Sequence, residues 1–170
     1  MKDKVVAAIA KSDEATREER AERLIWLSQH IPSIGGFIAP VEATVLMEEA
    51  RQCFVGGQFA ATLVLSASFI EHKLTDELRS KGLIKESPTF AQAIELAKAN
   101  QLFNPDLLAR TDRIRQVRNP FAHRKPDGHE HSLSTRFLAH RVPPQTVLES
   151  DAALAVQAMY EYFSLTLLRA

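Results

Sequence analysis

Hydrophobic residues recur along the chain every three to four positions, and no stretch keeps the two-residue alternation of a half-buried strand. The pattern predicts an all-α protein. Thr16 and Glu19 stand at capping-box spacing ahead of AERLIWL, which predicts a helix to about His30, stopped by Pro32 and the turn-rich IPSIGG. A short separate helix is expected before it, near Val5 to Ala10. A second helix should follow Pro40 through VEATVLMEEARQCF and end at Gly56-Gly57, where glycine permits a left-handed cap. The next segment, QFAATLVLSASFIEHKLTDELRS, is the most apolar and is closed by Gly82. Between Phe59 and Ile70 it is apolar on nearly all sides, as expected of a central helix surrounded by others.

Ser87-Pro88 and Asn104-Pro105 repeat one signal, an N-cap residue followed by proline at the first helical position. They predict helices at about Pro88 to Asn100 and from Pro105 onward. Ser150-Asp151 is read as the start of the last helix, with Leu154, Ala158, Tyr162, Leu165 and Leu168 on one face. The interval from Lys125 to about Glu149 holds Pro126, Gly128, Pro143 and Pro144 and is long for a connection within a bundle, so it reads as an irregular loop. The expected organisation is a helical extension over residues 1–40 packed on a helical bundle over residues 41–170.

With 170 residues, 45% of them hydrophobic, the chain suffices for one core. Lys plus Arg equals Asp plus Glu at 21 each, so no global field draws the molecule onto nucleic acid or an anionic membrane. Any nucleic-acid contact must come from a local patch. Cys53 is the single cysteine, which rules out an internal disulfide and reads as a buried, inert thiol. The opening MKDKVVAAIAKSDE has too short an apolar run for a secretory signal, and no stretch approaches a membrane span, so a soluble cytoplasmic protein with no membrane contact is expected.

The charge that does concentrate lies between Arg110 and Lys125, where Arg110, Arg113, Arg115, Arg118, Arg124 and Lys125 face only Asp112 in the sequence. This is a candidate phosphate-binding face, and equally a solvated basic helix end. On a helix counted from Leu107, Arg118 falls at about 20°, within the apolar face set by Thr111, Ile114 and Phe121. An inward guanidinium needs a carboxylate, backbone carbonyls or an anionic ligand. Glu71, on the inner flank of the central helix, is the expected partner of Arg118 or of Arg115. Pro120 should either kink the helix or stop it near Arg118, with Asn119 capping a restart. On an unbroken helix Arg118 and His123 stand about 140° apart, so their convergence requires a kink, a partner subunit or both.

"EARQCFVGGQFAATLVLSASFIEHKL" followed by "RIRQVRNPFAHR" resembles the HEPN superfamily over about residues 41–168. These are small all-α domains of prokaryotic toxins, defence systems and RNA-processing nucleases. The resemblance implies an up-and-down bundle of four core helices, here with an N-terminal and one extra short helix. It implies metal-independent RNA cleavage, commonly at a site shared by two subunits, or a non-catalytic binding and dimerisation module with a regulatory, protein-binding or nucleotide-binding role. Carried over, Arg118 matches the motif arginine, Asn119 the polar residue after it and His123 the histidine, with Glu71 at the acidic position. Arg113, Arg115 and Arg124 are supporting or RNA-binding candidates. The implied partners are a second copy, RNA, and an antitoxin or other protein.

The spacing alone is not specific, because Arg23/His30, Arg124/His129 and Arg124/His131 satisfy it too. What distinguishes Arg118 and His123 is an inward arginine followed by asparagine, after an apolar helix pair. His129, His131 and His140 lie in a Pro/Gly-rich stretch with no cysteine and no paired carboxylates, which reads as a polar loop rather than a zinc site. No nucleotide-loop, nucleophile-elbow or HExxH signature is present, so neither metal nor cofactor is expected.

Overall fold

The computed structural model describes residues 1–32 and 40–166, and these form seven α-helices: α1 (Lys2–Ser28), α2 (Val41–Val55), α3 (Phe59–Ser80), α4 (Phe90–Ala99), α5 (Pro105–Ala122), α6 (Leu133–His140) and α7 (Pro144–Leu165). No strand occurs among the described residues. The expected turn at Ser33 to Gly36 and the expected inward Leu168 lie outside them. No described helix is long and apolar enough to cross a membrane.

α3 is the central element and packs against α2, α4, α5 and α7. Its buried residues, among them Leu63, Ala67, Ile70, Leu74 and Leu78, follow the three-to-four spacing of a wide helical stripe. The same core contains several other buried small residues, Ala50 of α2 and Ala152, Ala155 and Ala158 of α7. Thr111 and Tyr162 place hydroxyls inside the core, and these satisfy one another at 3.0 Å.

α2 ends as its glycines predict: Gly57 takes φ +75°, and Gln58 N–H returns to the Cys53 carbonyl. α5 opens as expected, with Asn104 accepting from the Asp106 amide and Pro105 in the first turn. α4, however, starts at Phe90 rather than Pro88. Its N-cap is Thr89, in a reciprocal capping box with Gln92, so Ser87-Pro88 belongs to the preceding connection.

Larger differences lie at both ends. α1 is one continuous helix, and Thr16 does not cap it, because its hydroxyl donates to the Ser12 carbonyl one turn back. Met1 to Glu19 are exposed throughout, and α1 meets the bundle through Arg23, Trp26 and Leu27. Trp26 packs on Phe54, while Arg23 lies over Phe59 and donates to the Val55 carbonyl.

The stretch expected to be an irregular loop contains all of α6 and the first turns of α7. α7 starts at Pro144, where proline costs little because first-turn amides have no helical acceptor. Asp151 is therefore not a cap. It is buried inside α7 and accepts a two-pronged bond from Arg136 of α6, at 2.6 and 2.7 Å. The inward face of α7 includes Ala158 and Tyr162, as expected, but Leu165 is exposed. Cys53 is half-buried rather than sealed, with its thiol 3.4 Å from the Gln58 side-chain oxygen. Burial, reinforced by the Glu49 charge, pushes that thiol above its ordinary pKa.

Candidate functional site

α5 carries the arginine and histidine of the motif, and its inward stripe is Leu107, Thr111, Ile114 and Val117. Arg118 sits at the edge of that stripe, with its side chain 14% exposed. Its Nη2 donates to Glu71 Oε2 of α3 at 2.9 Å, while its Nε is buried without a partner. The guanidinium also lies 5.7 Å from the centroid of the Phe90 ring. Arg118 is thus held between a carboxylate and an aromatic face, with one inward donor left over. Arg115, the other candidate partner of Glu71, pairs with Asp112 at 2.8 Å instead.

Pro120 neither stops the helix at Arg118 nor makes Asn119 a cap. α5 runs through the proline to Ala122, and the His123 amide still donates to the Asn119 carbonyl at 2.8 Å. His123 itself is the first residue out of the helix, with extended backbone at φ −142° and ψ 124°. That change of backbone releases its ring from helical phase. Arg118, Asn119 and His123 consequently line one cavity of about 340 Å³ together with Glu71, Arg115, Thr89 and Phe90. The convergence comes from the end of the helix within a single chain.

Phe121, expected on the inner face, is 39% exposed because the stripe ends at Val117. Thr89 and Phe90 are cavity residues that the sequence reading misses. The Thr89-x-x-Gln92 spacing could have located the start of α4, though not its position over Arg118.

The basic run is less bare in space than in sequence. Arg110 pairs with Glu161 at 2.6 Å, Arg115 with Asp112 and Arg118 with Glu71, so carboxylates from α7, α3 and α5 itself neutralise much of what the helix presents. Arg113, Arg124 and Lys125 carry no ion-pair partner among the described residues. Arg124 is exposed outside the cavity, and Arg113 lines a different one. The His129 and His131 rings meet edge-on at 5.6 Å. Among the described residues, no group of three or more His, Cys, Asp or Glu is placed to hold a metal ion.

Chemically, the cavity combines an imidazole open to solvent, a guanidinium fixed by a carboxylate, and an amide side chain. Comparison with protein-family models, curated proteins and solved structures finds no match to this chain.

Proposed function

We propose that the chain is a HEPN-type metal-independent endoribonuclease of the kind found among toxins and defence effectors. The observation that carries this reading is the meeting of Arg118, Asn119 and His123 at one cavity, although helical phase alone would separate the arginine from the histidine. Cleavage through the ribose 2′-OH requires a base for the hydroxyl proton, a cation for the charge on the non-bridging oxygens of the phosphorane, and an acid for the departing 5′-oxygen. Imidazole can serve as base or acid near neutral pH, which gives His123 that role. Arg118 supplies the charge, and Glu71 orients it. Asn119 hydrogen-bonds the phosphate or the imidazole. One chain supplies one motif histidine, so a homodimer supplies both the base and the acid.

The Glu71 pair also favours a second reading. A guanidinium that is already paired and largely covered has fewer donors for a phosphate, which suits a non-catalytic HEPN-like module that binds a partner protein or nucleotide. Purified protein incubated with total RNA in EDTA separates the two. Under the nuclease reading the wild type cleaves, while Arg118→Ala and His123→Ala do not. No cleavage by any of the three, each folded and dimeric, favours the binding module.

A further inference from the structure

Five residues along a helix correspond to about 140° of rotation, so Arg113 faces a different side of α5 from Arg118. On that side a cavity of about 400 Å³ opens between α5, α6 and α7, lined by Arg113, Arg136, His140, Thr146, Ser150 and Asp151, among others. Asp151 is the carboxylate of this lining. It is 2% exposed, and both its oxygens are occupied by the Arg136 fork. Neighbouring acids are turned elsewhere: Asp112 holds Arg115 and Gln116, and Glu149 pairs with Arg23. Arg113 thus adds a positive charge that no described carboxylate offsets.

The remaining groups are donors or can become donors. The Thr146 and Ser150 hydroxyls make no side-chain hydrogen bond within the described chain, and they stand one turn apart, Thr146 in the first turn at the positive end of the α7 dipole. His140 closes α6 at the rim. A guanidinium, two free hydroxyls and an imidazole around a space whose acid is already neutralised complement a compact oxyanion with several acceptor oxygens.

We propose that this cavity binds a phosphate group, with Arg113 as its charge partner and Thr146 and Ser150 donating to its oxygens. The site is separate from the Arg118 cavity and stands whether or not the chain cleaves RNA. The phosphate belongs either to an RNA backbone or to a free phosphorylated molecule.

The test titrates inorganic phosphate into the full chain while recording backbone amide NMR spectra, for wild type, Arg113→Gln and Ser150→Ala. Arg113 is exposed and Ser150 lies at the surface, so both variants should melt as wild type does. The expected result is a shift of the amides of Arg113, Arg136, Thr146 and Ser150, with affinity at least tenfold weaker in Arg113→Gln. Equal affinity in wild type and Arg113→Gln overturns the proposal, as do shifts confined to the surroundings of Arg118. A 2′-O-methyl oligoribonucleotide, which cannot be cut through its 2′-oxygen, and adenosine 5′-monophosphate identify the source. For an RNA backbone, the slope of log affinity against log salt falls by about 1 in Arg113→Gln. For a free phosphorylated molecule, the monophosphate loses its affinity while the oligonucleotide slope is unchanged. Arg118→Ala and His123→Ala leave phosphate binding intact, so loss of cleavage and loss of this site are read apart.

Discussion

Replacing Glu71 with alanine removes the carboxylate that holds Arg118 and leaves a guanidinium with two inward donors unmatched, Nη2 and the already unpaired Nε. Breaking a fully buried pair costs about 3–5 kcal/mol, because the surviving charge stays in a poor solvent. Here the side chains are 14% and 29% exposed, so water reaches part of the pair and lowers the expected cost to about 2 kcal/mol. At this chain length each kcal/mol moves the melting temperature by about 2–4 °C, which gives a fall of about 4–8 °C. Thermal unfolding of Glu71→Ala, Arg118→Met and the double variant isolates the interaction. The expected coupling is at least about 1 kcal/mol, with the double variant less destabilised than the sum of the singles. A Glu71→Ala melting temperature within about 1 °C of wild type refutes the reasoning.

Asp151→Ala should cost more than Glu71→Ala, about 3–5 kcal/mol, because Asp151 is nearly inaccessible and leaves Arg136 unpaired; calorimetry checks the order, and equal losses contradict it. Tyr160 and Tyr162, the only tyrosines, are both pushed up by burial to about pH 12 from an ordinary value near 10. The folded state then retains protons that the unfolded state releases, so stability is complete below about pH 10 and declines as pH rises towards 12. Alkaline spectrophotometric titration should show phenolate appearing together with unfolding, whereas early ionisation of folded protein contradicts the burial. Removing residues 1–18, all exposed, should leave the unfolding temperature of the bundle unchanged within about 2 °C by circular dichroism, since no described tertiary contact within the chain is lost.

The legible parts of the fold were those where local chemistry and tertiary packing agree. Gly57 ends α2 through its left-handed backbone and Asn104-Pro105 starts α5 through a side-chain cap and a first-turn proline, and both lie where the pattern places them. Phase arithmetic on α3 and α5 likewise anticipated that Glu71 meets Arg118 or Arg115, and the pair formed is with Arg118. Thr16 misled because a mid-helix threonine can return its hydroxyl to the carbonyl four residues back and so mimic a cap in sequence. Pro143 and Pro144 misled because proline punctuates loops and starts helices with equal ease. The neutralising roles of Glu161 and Asp151 were hidden for another reason: ion pairs between helices depend on which turns face one another, and the local pattern does not carry that information. His123 lies between these cases. Its place in the lining of the Arg118 cavity follows from a backbone change at one residue, which Pro120 hinted at and did not specify.

The most direct test of the shared Arg118 and His123 site is the rate and product of RNA cleavage in EDTA, followed by end-group analysis. The expected result is a fragment ending in a 2′,3′-cyclic phosphate, formed by wild type and slowed about 10²–10⁴-fold in His123→Ala, the range for removal of a general acid or base. Fragments bearing free 3′-hydroxyls, or a His123→Ala rate equal to wild type, would contradict it.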